Sequence, residues 1–242
     1  MNTESGASEA GRVDRRRLLT GTMAAACMAG TGLTTQPATA STGKSRRAAQ
    51  FGYCLNTSTI RGQELGIAEE VQITAEAGYD GIEPWIRELD AYEEAGGKLD
   101  DLAAQIQDAG LTVASAIGFA AWIVDDPAQR RAALDQARRE MDKVRRIGGT
   151  RIAAPPAGIP RGETVDLLAA ADRYHDLLEV GREQGVMPQL EVWGFSSTLG
   201  RLGEAVMVAI ESGGPDGRLL LDVYHVFKGG YDRFGIRWLR GG

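Results

Sequence analysis

Residues 127–155 read PAQRRAALDQARREMDKVRRIGGTRIAAP and join one long helical pattern to one short strand. Pro127 suits the first turn of a helix, and Gly148-Gly149 ends the helical pattern after Ile147. Residues 151–155 then form a short apolar run that ends in a proline, which cannot continue a hydrogen-bonded ladder. This order of helix, glycine turn and strand is typical of a parallel α/β protein.

The same alternation extends in both directions from this segment. We predict five further strands, over residues 51–55, 80–85, 111–117, 187–193 and 218–223. We predict further helices over residues 64–77, 99–109, 163–183 and 199–211, and the start of another over 234–240. The first strand leads into Asn56-Thr57-Ser58-Thr59 and not into a glycine-rich phosphate loop, which disfavours a dinucleotide-binding sheet. We therefore expect an α/β fold, a (β/α)8 TIM barrel that is incomplete, with about six of its eight units.

The composition excludes several classes of protein. Hydrophobic residues at 43% and charged residues at 25% over 242 residues indicate a globular chain. A net charge of −6, with no basic run among aromatics, argues against a nucleic-acid partner. Two cysteines and two histidines are too few for a disulfide framework or a His/Cys zinc cluster.

The N-terminal segment has the pattern of an export signal. Arg15-Arg16-Arg17 precedes a weakly apolar stretch over residues 18–33, and Ala38-Thr39-Ala40 offers a small-residue cleavage site. These features resemble a twin-arginine signal, so we expect a periplasmic or extracellular protein; a disordered basic tail is the alternative. The stretch is too short and too weakly apolar for a stable membrane span. The predicted organisation is a signal peptide over 1–40, a linker over 41–48 and a partial barrel domain over 49–242.

Acidic residues follow three of the predicted strands. Glu83 and Glu191 end two strands, and Asp222 ends a third, three residues before His225. Because the carboxyl ends of parallel strands meet at one edge, these carboxylates are expected to converge and hold a cation. Oxygen ligands with an imidazole suit a divalent ion such as Mn²⁺, Co²⁺ or Mg²⁺.

Each of these residues also has a simpler interpretation. A glutamate at a strand end can be a solvated loop residue or a cap of the next helix, and Asp222-x-x-His225 can be a polar turn. Trp85 and Trp193 can belong to the core, or they can form an apolar wall against a sugar ring. His175 is interpreted as a surface or core histidine without a catalytic role.

Four segments resemble the xylose isomerase-like family of sugar phosphate isomerases and epimerases. They are Ala77–Glu83, Leu190–Trp193, Leu221–His225 and Phe227–Gly230, the last as in exported members. The likeness runs from about Ala49 to the end of the sequence, which stops before the seventh and eighth strands of the family barrel. We therefore expect an exported, C-terminally truncated member.

The resemblance implies a site and a reaction. Family members bind a divalent metal through a glutamate of strand 5, an aspartate of strand 6, a histidine of strand 7 and a glutamate of strand 8. The first two match Glu191 and Asp222, and Glu191 is also the implied catalytic residue, moving a proton between adjacent carbons through a cis-enediol. The implied substrate-binding residues are His225, Glu83, Trp85 and Trp193.

Two functions follow as hypotheses. The first is a metal-dependent isomerase or epimerase that acts on a small sugar or sugar phosphate. The sequence is also compatible with an oligomer. The alternative is an inactive or truncated barrel that binds carbohydrate. A nuclease would need several zinc-ligating histidines and a basic face, and this composition disfavours both.

Overall fold

The computed structural model describes residues 51–230 and 233–239, so the predicted signal peptide and linker lie outside the described residues. The strands are β1 (Cys54–Asn56), β2 (Gly81–Glu83), β3 (Thr112–Val113), β4 (Arg151–Ala154), β5 (Met187–Glu191) and β6 (Arg218–Leu220). The helices are α1 (Ile67–Glu76), α2 (Ile86–Glu94), α3 (Leu99–Asp108), α4 (Pro127–Arg146), α5 (Leu167–Gln184), α6 (Leu202–Glu211) and α7 (Val223–Lys228). Three 3₁₀ turns cover Thr57–Thr59, Arg61–Gln63 and Arg233–Trp238.

The strands are parallel and follow one another in chain order. One sheet has the order β1-β2-β3 and the other β4-β5-β6. Ile117 connects the two, because it forms single parallel bridges with Trp85 beyond β2 and with Ala153 in β4. The described strands thus make a continuous series of six with helices between them, and the expected incomplete β/α barrel is confirmed.

The core fixes the strand that carries one of the acids. Leu190 of β5 is fully buried and lies opposite Leu219 of β6. The Tyr174 hydroxyl of α5 donates to the Pro188 carbonyl of the same strand at 2.9 Å. Because side chains alternate along a strand, burial of Leu190 turns Glu191 toward the opposite face of the sheet.

Two helices, α2 and α7, depart from the expected pattern. Residues 86–94 follow the extended Trp85 and form α2, where the sequence analysis places no element. The strand expected over 218–223 ends at Leu220, and Asp222 caps α7 by accepting the His225 amide at 2.9 Å. The expectation that Asp222 lies in a strand is therefore wrong, because its side chain bonds to the backbone of the next turn.

Glu70 of α1 offers a test of the packing of α1 against α2. It is 2% exposed, and its Oε2 has no hydrogen-bond partner among the described residues. Burial first, and then the charge of Glu88, raise the pKa of Glu70 to about 7, against an opposing effect of Arg87. Since the pKa in the folded chain exceeds the ordinary carboxyl value, stability is lost as the pH rises through 7.

Glu70→Gln is expected to raise Tm by roughly 3–6 °C at pH 8.5 and by much less at pH 5. Glutamine cannot ionise, so the variant lacks the loss of stability that ionisation of Glu70 causes across this pH range. Thermal unfolding at both pH values checks the result, with the exposed Glu69→Gln as the matched control. An equal change in Tm at the two pH values would contradict the assignment.

Candidate functional site

Glu191, Asp222 and His225 lie together at the carboxyl ends of β5 and β6. One ligand atom from each lies within 4.8 Å of those of the other two, and Glu191 Oε1 is 3.9 Å from His225 Nε2. Glu191 is 6% exposed, and the other two side chains are partly buried. We call these three residues the acid–histidine cluster.

Helix α7 brings His225 into this cluster. The Asp222 carboxylate accepts the amide of His225, which starts the helix directly after β6. The loop after β5 packs against the same helix at Gly194, where a Cβ would lie 2.3 Å from the His225 carbonyl oxygen. Only glycine allows this approach, so contact between two backbone segments sets where His225 stands relative to Glu191.

The cluster is electrostatically unfavourable for three ionised acids. Burial first, and then the charges of Asp222 and Glu83, raise the pKa of Glu191 to about 8. Burial also raises the pKa of Glu83, against a hydrogen bond from Asn56, while Asp222 raises it further. Burial lowers the pKa of His225, and Asp222 acts in the opposite direction. These carboxylates therefore share one electrostatic environment, and a cation among them would stabilise their ionised forms.

The residues of the acid–histidine cluster fit a divalent ion. Ligand atoms bound at about 2.0–2.2 Å to one ion lie no more than about 4.4 Å apart, close to the separations in the cluster. His225 Nδ1 is buried and has no hydrogen-bond partner among the described residues. A buried polar atom without a hydrogen-bond partner destabilises the folded chain. A cation bound at this nitrogen would offset that effect.

Asn56 positions Glu83 beside the cluster. Its Nδ2 donates to Glu83 Oε2 at 2.7 Å, and its Oδ1 accepts from Trp85 Nε1 at 3.0 Å. The Ser58 amide also donates to Asn56 Oδ1, which fixes the orientation of the amide group. Asn56 thus couples the carboxylate at the end of β2 to the indole that follows it.

Aromatic side chains line the same edge of the sheet. The Trp85 and Phe119 rings are 5.3 Å apart, Phe119 and Trp193 are 6.2 Å apart, and Trp193 and His225 are 6.0 Å apart. Phe119 is 39% exposed. We call Trp85, Phe119 and Trp193 the aromatic wall. Such a surface is suited to packing against the C–H face of a sugar ring.

The structure brings the predicted site residues to one edge of the sheet. Glu191 and Asp222 lie together, His225 joins them, and Trp85 and Trp193 share the aromatic wall. Glu83 lies at the same edge, where it accepts a hydrogen bond from Asn56. His175 lies elsewhere, exposed on α5, with Nδ1 2.8 Å from the Ser212 carbonyl oxygen.

Two residues of this edge, Asn56 and Phe119, were not among the site residues predicted from the sequence. Asn56 is the last residue of β1, so the rule that placed the acids at strand ends applies to it as well. Phe119 lies two residues after Ile117, whose isolated bridges continue the line of β3. Both positions could have been found by applying the strand-end rule to neutral side chains.

None of the described helices combines the length and apolar character that crossing a membrane requires.

Three comparisons place this geometry among known proteins. A family profile described as a xylose isomerase-like TIM barrel matches residues 71–239. A search of curated proteins found no match. Solved structures with the same fold include a xylose isomerase-like TIM barrel/4-hydroxyphenylpyruvate dioxygenase fusion protein, at 18% identity and a TM-score of 0.72 over 80% of this chain.

Two further solved structures are smaller proteins. The IOLI protein, solved with a bound zinc atom, is 19% identical with a TM-score of 0.66 over 75% of this chain. D-psicose 3-epimerase from Clostridium cellulolyticum H10, solved with D-tagatose, is 16% identical with a TM-score of 0.64 over 76% of this chain. The chain spans 30% of the fusion protein and 66% of each of the other two. At these identities the likeness concerns the fold.

Proposed function

Because the chain belongs to the xylose isomerase-like TIM barrel family, we propose that it carries part of the active site of a metal-dependent sugar isomerase or epimerase. The observation that carries this proposal is the acid–histidine cluster beside the aromatic wall. Solved structures of the same fold include an epimerase and a zinc-bound protein, which supports a sugar substrate and a divalent metal.

Each residue of the site has a proposed role. Glu191, Asp222 and His225 would hold the metal, for which Mn²⁺, Co²⁺ and Mg²⁺ are the first candidates. When bound, such an ion supplies Lewis acidity toward the oxygens of a carbonyl and its neighbouring hydroxyl. Glu83 would accept a hydrogen bond from a sugar hydroxyl, and Trp85 and Trp193 would pack against the ring.

Glu191 is the proposed base. A proton on the carbon next to a carbonyl is weakly acidic, and a carboxylate within hydrogen-bond reach can remove it. Burial and the neighbouring acids raise the pKa of Glu191 to about 8, and a bound cation would favour the ionised carboxylate that acts as the base. Removal of the proton gives a cis-enediol. After a proton shift between its two oxygens, Glu191 can return the proton to the adjacent carbon on the same face, which gives the isomer. Return to the opposite face, which gives the epimer, requires a second acid.

Deuterium exchange tests the reaction directly. The full chain is incubated with Mn²⁺ and a panel of ketoses in D₂O, and the sugars are analysed by NMR. We expect deuterium at the carbon next to the carbonyl, and we expect removal of the metal with a chelator to abolish it. No deuterium incorporation by folded, metal-loaded protein would overturn the proposed reaction.

The aromatic wall supports carbohydrate binding as a second candidate function. Its exposed Phe119 and the tryptophans on either side form a binding surface that does not depend on catalysis. Saturable binding of a sugar without deuterium exchange would favour this function over the isomerase.

We also propose that the protein is exported through the segment over residues 1–40. The consecutive arginines at 15–17 and the small residues at 38–40 support this proposal.

A further inference from the structure

A cavity opens beside the aromatic wall. It has a volume of about 590 Å³ and lies between the loop after β4, the loop after β5 and the end of α7. Trp193 lines this cavity and also lies 6.0 Å from the His225 ring. Trp193 therefore lies between the cavity and the acid–histidine cluster as a neighbour of both.

The charged side chains that line the cavity are basic. Arg161 from the loop after β4 and Lys228 from α7 line it, and no acidic side chain belongs to its described lining. The ion pairs among the described residues use other basic side chains, such as Lys143 and Arg182, and neither Arg161 nor Lys228 takes part in one. In a chain of net charge −6, these two basic groups, which have no acidic partner among the described residues, are available to an anion.

Neutral donors and an aromatic ring complete the lining. Ser196 and Ser197 contribute hydroxyl groups. The Lys228 ammonium lies 5.6 Å from the centre of the Phe195 ring, which holds this flexible side chain at the cavity. The close contact at Gly194 joins the loop that carries Phe195 to the helix that carries Lys228. This contact sets the positions of the two side chains relative to each other.

We propose that this cavity binds an anionic group of the substrate, a phosphate or a carboxylate on the part of the sugar remote from the reacting carbonyl. Arg161 supplies a planar pair of donors that matches either anion, and Lys228 adds a point charge. The volume accommodates several carbon atoms in addition to the anion. This assignment rests on the proposed function, since the same molecule would reach the acid–histidine cluster.

Matched ligands test the assignment. Binding of D-fructose, D-fructose 6-phosphate and D-fructuronate to the Mn²⁺-loaded full chain is measured by calorimetry. We expect one of the two anionic sugars to bind about tenfold or more tightly than the neutral sugar, and the stronger one identifies phosphate or carboxylate. The double variant Arg161→Gln/Lys228→Gln is expected to lose this preference and to keep its affinity for D-fructose.

The control variant is Lys98→Gln/Arg131→Gln, which removes two exposed charges outside the cavity. It is expected to keep the anion preference. Equal affinity for neutral and anionic sugars, no binding of either, or a preference that persists in Arg161→Gln/Lys228→Gln would overturn the assignment. Deuterium exchange without an anion preference removes only the cavity assignment, whereas an anion preference without exchange removes only the proposed reaction.

Discussion

Glu191→Gln is expected to lower the rate of deuterium exchange by about 10²–10⁴-fold, the effect typical of a lost general base. Glutamine keeps the size of the side chain, but it cannot take up a proton from carbon. The same change removes one anionic ligand from the acid–histidine cluster, so the affinity for Mn²⁺ should fall as well. Exchange is measured at saturating Mn²⁺, so that the loss of the base is separated from the loss of the metal.

Glu183→Gln is the matched control for this variant. Glu183 is an exposed residue of α5 whose contact with Arg138 is a surface ion pair, so both exchange and Mn²⁺ affinity should stay unchanged. An exchange rate for Glu191→Gln within twofold of the native rate would contradict the role of Glu191 as the base.

Gly194→Ala is expected to weaken Mn²⁺ binding by about tenfold or more and to destabilise the protein by about 1–3 kcal/mol. The added Cβ would lie 2.3 Å from the His225 carbonyl oxygen and 2.7 Å from the Gly229 nitrogen. Both atoms belong to the backbone of the α7 segment, so the clash cannot be relieved by rotating a side chain. The helix must shift, and His225 and Asp222 move with it relative to Glu191.

Gly203→Ala serves as the control because a Cβ at this position of α6 meets no atom within 4 Å. Its Mn²⁺ affinity should equal that of the native chain, and its Tm should rise slightly because alanine favours a helix. Calorimetric titration with Mn²⁺ and thermal unfolding give both quantities. Native Mn²⁺ affinity in Gly194→Ala would show that this contact does not set the geometry of the cluster.

The sequence predicts the order of the strands because each one is a short apolar run between glycine or proline signals. The long helix over residues 127–147 is a clear case, since Asp126 caps it, Pro127 begins it and Arg146 ends it in the structure. The family resemblance is likewise confirmed by the profile match over residues 71–239. These features depend on local patterns, which a single sequence carries.

The missed features depend on contacts between distant segments. The sequence around Asp222 is compatible with both a strand end and a helix cap. Its hydrogen bond from the His225 amide makes it a helix cap. The approach of Gly194 to α7 joins residues about thirty positions apart, and it decides that His225 stands beside Glu191. A glycine in a sequence does not reveal which backbone approaches it.

The hydrogen bond between Asn56 and Glu83 also depends on contact between distant segments. The two residues are 27 positions apart, and they meet because β1 and β2 pair in parallel with Asn56 opposite Glu83. The strand order predicts that the two strand ends are neighbours, but the register is needed to pair these two side chains.

The position of a manganese ion shows whether Glu191, Asp222 and His225 form one metal site. Crystals of the protein grown with Mn²⁺ are measured at the manganese absorption edge, where the anomalous signal locates the ion. We expect one strong peak within about 2.0–2.4 Å of a carboxylate oxygen of Glu191, a carboxylate oxygen of Asp222 and a ring nitrogen of His225. A peak elsewhere, or well-ordered Glu191 and Asp222 side chains that leave the ion uncoordinated, would contradict it.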